Sequence, residues 1–298
     1  MTSLPPRAVF VTRETDFDLL LAKHATREQT RFFLDRRGQS LVEVEARHRA
    51  FEAVLTGARA AIPESWRQTH VLRGNLDRFL FTPEDIVIAV GQDGLVANLA
   101  KYLSGQPVLG INPAPELYDG VLTRHAPDAL PRLLKGVAVG RAEAEARTMV
   151  EAELENGERL RALNEIFIGH RSHQSARYYI ETGKTAEEQS SSGLIVATGT
   201  GATGWARSIM EANKIRMQLN PVNREAGYFV REPFPSVRTG THVRAGVLAG
   251  QKTLTITSHM NEGGVIFADG IEQDFIAFEW GRVAKLHVAK EALNLVVG

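Results

Sequence analysis

The segment Ser190–Trp205, SSSGLIVATGTGATGW, passes from an apolar run into a loop of glycine and threonine and then into a helical pattern. Backbone N–H groups and hydroxyls on such a loop can reach phosphate or ribose oxygens, because Gly199, Gly201 and Gly204 carry no side chain to hold a ligand away. A second glycine-bearing turn lies upstream in Ile86–Gly94, IVIAVGQDG, where a buried-strand pattern stops at Gly91-Gln92-Asp93-Gly94 and a helix begins at once. At the carboxyl end of a strand in a parallel sheet, Asp93 would be a carboxylate beside an anion site, or simply a helix cap. Asn164-Glu165 sets an amide next to a carboxylate after a strand-like run, a pair able to meet a base amine and ribose hydroxyls, or to turn the chain. A nucleotide site is the expectation common to all three.

Other patterns carry less. Gly199, Gly201 and Gly204 also satisfy G-x-G-x-x-G, with Glu225 near the position of a ribose-binding acid, but that fingerprint belongs in a βαβ unit. NPVNREAGYFVREPF, after a helix expected over Ala206–Leu219, shows no clean buried strand ending in an acid. His170 and His173 form H-x-x-H without the further ligands that zinc needs, so no metal-holding residues are expected. Arg171 and Arg177 could meet phosphate, although a solvated strand explains them, and Arg141–Arg147, RAEAEAR, reads as an exposed charged edge.

The elements that must position these residues fall into two halves. Ala8–Thr12, Gln68–Leu72, Ile86–Val90 and Pro107–Ile111 read as strands, with helical patterns over Asp16–Arg37, Val44–Ala61 and Leu95–Leu103. Strand alternating with helix implies a parallel, Rossmann-like α/β sheet. From about residue 137 the period becomes two, over Met149–Leu154 and Arg159–Ile168 around the hairpin signal Asn156-Gly157. Thr253–Thr257, Val265–Ala268, Phe275–Trp280 and Val283–Val288 continue it. With Pro113, Pro115, Pro127 and Pro131 as the connection, the expectation is an α/β domain over residues 1–125 and a mainly antiparallel β domain over 126–298. The last residues are free to pack back on the first domain.

Composition narrows the function class. Of 298 residues, 43% are hydrophobic and 23% charged, with 35 basic balancing 35 acidic, so the chain can build a sizeable core and has no overall attraction for nucleic acid or anionic membrane. With no cysteine, disulfides, thiolate catalysis and cysteine-held metals are excluded. No apolar run reaches the length of a membrane span. MTSLPPR leads straight into Ala8–Val11, too short for a signal peptide, and a cytoplasmic protein is expected.

Gly91-Gln92-Asp93-Gly94, Asn164-Glu165 and Thr198–Trp205 appear in the order of the strand-GGDG-helix element, Asn-Glu pair and TPTGSTAY-type loop of the NAD kinase family, which the chain resembles. It is most similar to the mitochondrial-type branch, through the N-terminal VTR, the Ser-Ser-Gly before the loop, TGTG followed by Trp, and Arg231-Glu232-Pro233, with a last match at Ala268-Asp269-Gly270. The resemblance implies a two-domain fold with substrate in the cleft between the domains, and transfer of the γ-phosphate of ATP to the 2′-hydroxyl of NAD. It implies Mg²⁺ brought with ATP, no tightly bound prosthetic group, and a homodimer or homotetramer. By the same resemblance Asp93 is the catalytic carboxylate, and Gly91, Gln92 and Gly94 face ATP. Asn164, Glu165, Ser192, Thr200, Thr203, Gly204, Trp205 and Ser208 bind NAD; Trp205 could stack on a base or pack in the core. Gln92 replaces a glycine and Leu95 a threonine, changes that put a side chain where a triphosphate should approach and remove a hydroxyl. Two alternatives stay open: a catalytically degenerate NAD(P)-binding protein, and a kinase of another hydroxyl substrate, lipid or sphingoid base, using the same loop.

Overall fold

A computed structural model describes residues 5–298; the start of the MTSLPPR leader lies outside the described residues. The chain divides into two compact units, one running to Glu145 and including Asn294–Gly298, the other Ala146–Leu293. In the first, β1 (Arg7–Thr12) leads to α1 (Asp16–His24), α2 (Arg27–Asp35) and α3 (Leu41–Ala60), then β2 (Arg67–Leu72), β3 (Asp85–Val90), α4 (Asp93–Ala100), β4 (Pro107–Ile111) and α5 (Leu130–Ala138). The strands pair in parallel in the order β2-β1-β3-β4, and Asn294 and Leu295 add a parallel segment beside Pro107 and Val108. Every residue of β3 is buried, as the unbroken apolar run Ile86–Val90 demands of a strand covered on both faces. At its base Asp85 receives a two-pronged bond from Arg7 at 2.7 and 2.6 Å. Burial works against the Asp85 charge, but the guanidinium and the Thr82 donors outweigh it and hold the carboxyl below its ordinary range.

The chain passes from one unit to the next later than the 125/126 division expected from the prolines. Pro127 and Pro131 open helical turns, where the missing N–H costs nothing, and α5 then lays Leu130, Leu133 and Leu134 into the core of the first unit.

The second unit contains β5 (Ala144–Leu154), β6 (Arg159–Ala162), β7 (Glu165–His170), β8 (Ala176–Glu181), β9 (Ala186–Ser191), β10 (Leu194–Thr198), α6 (Trp205–Ala212), β11 (Glu225–Val230), β12 (Ala245–Ala249), β13 (Leu254–Ser258), β14 (Gly264–Ala268), β15 (Ile276–Ala277) and most of β16 (Val283–Val296). One antiparallel sheet runs β12-β11-β10-β7-β14-β15; the other is built from β9-β8-β13-β16 with β5 and β6. The two share a core in which Ile166, Ile168, Leu194 and Val196 meet Ile180, Ile256 and Leu286. Because side chains alternate along a strand, Phe167 and Ile195 point the other way, onto Ala206 and Ile209 of α6.

Asn156-Gly157 turns the β5–β6 hairpin as expected, with Gly157 at φ 87°. Two expectations need correction. The helix after the glycine loop stops at Ala212 rather than Leu219, and a buried strand does follow, β11. It runs antiparallel to β10, so no βαβ unit exists there and the dinucleotide-fingerprint reading fails on topology. Phe275–Trp280 contributes only the two residues of β15, since Trp280 is 62% exposed and stacks on His259 instead of entering a sheet. No helix among the described residues is long and apolar enough to cross a membrane.

Candidate functional site

β7 lies antiparallel to both β10 and β14, so its amino end stands with their carboxyl ends. Three sequence motifs therefore meet at one end of the second unit: Asn164-Glu165, Thr198–Gly204 and Ala268-Asp269-Gly270. Asp269 holds the group together. Its carboxylate accepts from the backbone N–H of Leu163 at 3.1 Å, Asn164 at 2.7 Å and Glu165 at 3.4 Å, and its own N–H donates to the Glu165 carbonyl at 3.0 Å. Thr198 ties in the loop: its N–H donates to the Asn164 carbonyl at 2.9 Å, while its hydroxyl accepts from Thr200 and Gly201 N–H at 3.1 and 3.2 Å.

The tightness of that join explains two of the loop glycines. A Cβ on Gly201 would lie 2.2 Å from the Asn164 carbonyl oxygen, and one on Gly199 2.3 Å from the Asn220 carbonyl carbon. Both make room for the protein's own backbone, not for a ligand as their sequence suggested. Gly204 is exposed, and an added Cβ there would meet nothing nearer than 3.8 Å.

Glu165 is the chemically tuned group of this end. Burial, followed by the nearby Asp269 charge, pushes its carboxyl up to about 7, so near neutral pH it is present both as a donor and as an anion. Thr200 is buried, with an Arg147 guanidinium nitrogen 3.5 Å from its hydroxyl. Arg147 corrects the reading of Arg141–Arg147 as an exposed edge: it is 4% exposed, because β5 begins at Ala144 and carries it inside. Thr203 is exposed and donates to the Thr200 carbonyl at 3.0 Å. Ser208 lies one turn into α6 on its exposed side.

Trp205 and Ser192 behave differently from the rest. The Trp205 ring stacks on Phe167 with centroids 5.7 Å apart and carries the Arg231 guanidinium 5.0 Å above it, so packing alone accounts for its place. Ser192 precedes β10 and the loop follows it; at about 3.3 Å per extended residue, some 20 Å separate Ser192 from Thr198. The structure gathers Asn164, Glu165, Thr200, Thr203 and Gly204, and leaves Ser192 at the opposite end beside Arg231.

In the first unit, Gln92 caps α4 by its backbone only, and Asp93 is the first helical residue rather than the cap. The Asp93 side chain turns instead to the segment after β4. Oδ1 accepts from Leu122 N–H (2.9 Å), Thr123 N–H (2.8 Å) and the Thr123 hydroxyl (3.0 Å), and Oδ2 from Val121 N–H (2.9 Å). Oδ1 is thereby filled, and Oδ2 keeps one lone pair for a ligand. Leu95 is 3% exposed and packs against Gly91, while a Cβ on Gly94 would enter open space.

No family model matches the chain. It is 29% identical over 218 residues to the NAD kinase of Chlorobaculum tepidum, covering 71% of each chain. It is 34% identical over 134 residues to that of Acidithiobacillus ferrooxidans, where the match covers 42% of this chain and 44% of the relative. Among solved structures, yeast NADH kinase complexed with NADH matches 99% of this chain and 84% of its own at TM-score 0.64 and 14% identity. An NAD kinase from Archaeoglobus fulgidus in complex with ATP matches 98% and 93% at TM-score 0.58 and 18% identity.

The fold is that of the NAD kinases. Within this NAD kinase fold, the α/β half and the antiparallel half correspond to the fold class expected from the sequence. Two residues of the gathered end were missed. Asp269 was visible as the acid of Ala268-Asp269-Gly270 but had been given no partner. Arg147 carried one usable signal, the alternating Thr148–Leu154 run directly behind it, which places it inside a strand.

Proposed function

We propose that the protein is an NAD kinase, transferring the γ-phosphate of Mg²⁺-bound ATP to the 2′-hydroxyl of the adenosine ribose of NAD to give NADP and ADP. The observation that carries this reading is the convergence of Asn164-Glu165 with the Thr200–Gly204 loop on one sheet end, latched by Asp269. Asn164 and Glu165 take the adenine amine and ribose hydroxyls, and the loop hydroxyls and Gly204 N–H take the remaining oxygens of the dinucleotide. In the transfer, the bond from the ribose oxygen to the γ-phosphorus forms as the bridge to the β-phosphate breaks, and ADP leaves. The hydroxyl proton passes to the open lone pair of Asp93 Oδ2, whose position Val121–Thr123 fix; much of the Asp93 contribution is orientation. Gly91, Gln92 and Gly94 lie along the triphosphate, and Mg²⁺ enters with it.

The finer expectations belong to the same proposal: membership of the mitochondrial-type branch, motivated by Arg231-Glu232-Pro233 and the Ser192 position; a homodimer or homotetramer; and a cytoplasmic setting. The deciding experiment follows NADP formation from NAD or NADH with ATP, other triphosphates and polyphosphate. Stoichiometric NADP and ADP are expected, and no phosphorylated dinucleotide with any donor would end the kinase reading. One observation favours a second reading, a dinucleotide binder without turnover: Asp93 already accepts three bonds at Oδ1, from the Leu122 and Thr123 N–H groups and the Thr123 hydroxyl, and one at Oδ2 from Val121 N–H, so a single lone pair is left for chemistry. Tight NAD binding by calorimetry with no product would favour it.

A further inference from the structure

Strand alternation divides the side chains of β5 and β16 between two faces. Val150, Ala152 and Leu154 of β5 and Leu286 and Val288 of β16 point into the core of the second unit, so Glu151, Glu153 and His287 stand together on the other face of the paired strands. The ligand-capable atoms of these three side chains all lie within 4.8 Å of one another. β6 runs beside β5, with Arg161 opposite Glu151 and Arg159 opposite Glu153. Glu151 and Glu153 share a strand but His287 comes from another, so no spacing in the sequence announces the group.

Each carboxylate divides its two oxygens in the same way. Glu153 Oε1 accepts from Arg159 at 2.9 Å, and its Oε2 faces His287 Nε2 at 4.0 Å. Glu151 Oε2 faces Arg161 Nε at 4.0 Å, and its Oε1 faces His287 Nε2 at 3.8 Å. The Glu151 side chain is only 10% exposed, yet among the described residues no hydrogen bond reaches its carboxylate. A carboxylate buried that far is costly unless donors or a cation meet it. On the ring, Nδ1 lies 3.1 Å from the Val288 carbonyl oxygen, which can only accept, so Nδ1 carries the proton and Nε2 is the atom aimed at the carboxylates.

Distance separates the two ways of joining these groups. An imidazolium closing directly on the carboxylates would make charge-assisted bonds of about 2.7–2.9 Å, and both gaps are about an ångström longer. A divalent ion holding one imidazole nitrogen and two carboxylate oxygens at about 2.0–2.2 Å sets those atoms roughly 3.0–3.5 Å apart, within a small side-chain adjustment of the observed spacing. The bond from Nδ1 to a carbonyl and the arginine on Glu153 are the outer contacts that orient such ligands. An imidazole among carboxylates suits a transition ion such as Zn²⁺ better than Mg²⁺. We propose that Glu151, Glu153 and His287 bind one divalent transition cation of the Zn²⁺ type, which clips β5 to β16 and keeps a coordination position for water. The site lies wholly in the second unit and does not depend on the kinase reading.

Binding is measured by calorimetry on the full chain, stripped with a chelator that is then removed and titrated with zinc chloride alone. The variants are Glu151→Gln, Glu153→Gln, His287→Ala and, as a control on the other histidine pair, His170→Ala with His173→Ala. Melting in chelator checks that each variant folds. Glu153, at 39% exposed the most accessible of the three, keeps the test open if Glu151→Gln does not fold. The expected result is one Zn²⁺ per chain, a melting temperature that rises with free Zn²⁺, binding weakened about tenfold to a hundredfold in each of the three ligand variants, and no change in the His170/His173 variant. Wild-type affinity in His287→Ala overturns the proposal, as does binding that disappears with His170 and His173, or the absence of a stoichiometric site in the wild type. NADP formation enters none of these outcomes, so the kinase reading stands or falls separately.

Discussion

An added Cβ at Gly201 would stand 2.2 Å from the carbonyl oxygen of Asn164, whereas one at Gly94 would meet nothing within 4 Å. In the loop of the second unit Gly201 lets two backbone segments touch; in the turn of the first, Gly94 faces open space. The carboxylates of the two regions differ in the same sense. Asp93 is locked by four donors from Val121, Leu122 and Thr123, while Glu165, half-buried near Asp269, is left with its carboxyl raised to about 7. One region fixes a position and leaves space in front of it; the other fixes its space and leaves a proton undecided.

Removing the fixed carboxylate should have the largest effect. Asp93→Ala strands the N–H groups of buried Leu122 and Thr123, which costs about 2–3 kcal/mol, and turnover should fall at least about a thousandfold. Melting curves and initial rates report the two separately; a wild-type melt with lost turnover would mean that the anchoring is incidental to the role of Asp93.

Gly201→Ala drives a methyl into the Asn164 backbone, which cannot yield as a side-chain tip would, and should destabilise by about 2–3 kcal/mol with a matching loss of NAD binding. A soluble, fully stable variant would break the distinction between the two loops.

The raised Glu165 carboxyl predicts a pH dependence. An unfolded chain with an ordinary value of 4.5 ionises first as pH rises, so the stability due to the neutral carboxyl is full below about 4.5 and is lost as pH climbs through about 7. Glu165→Gln should therefore stabilise the protein above pH 7 and leave it unchanged at pH 4. If NAD hydroxyls and amine donate to the ionised form, NAD affinity should rise about tenfold from pH 6 to pH 8 with proton release, and the variant should show a flat profile. Calorimetry in two buffers of different ionisation heat would read the proton directly, and equal profiles would remove Glu165 from the site.

The smallest change should come from Gly94→Ala, a helical position with open space, where stability rises by a few tenths of a kcal/mol while the KM for the phosphoryl donor increases several-fold. An unaltered KM would mean that the open space is not used.

Much of this was legible along the chain because it depends on local pattern. The apolar Ile86–Val90 run of β3 and the Asn156-Gly157 hairpin announce their elements without help from distant residues, whereas the change of period expected near residue 137 comes only at Ala144, after α5. β11 was not, since its burial comes from pairing with β10 and β12 on either side and its sequence, EAGYFV, is flanked by turn-forming residues. Pro127 and Pro131 misled for a related reason: a proline that starts a helix and one that breaks a chain look alike until α5 is seen to pack.

Residue types and their order were enough to name a carboxylate at the end of a strand, an amide-acid pair and a hydroxyl-bearing glycine loop, because those chemistries are carried by single side chains. Which of them share a surface was decided only by the antiparallel register of β7 with β10 and β14, which sends Ser192 to the far end and brings Asp269 from over a hundred residues away. The proton on Glu165, the donors that hold Asp93 and the room at each glycine follow from the same cause: burial, charge proximity and steric contact are properties of neighbours in space, and those neighbours are far apart in the chain.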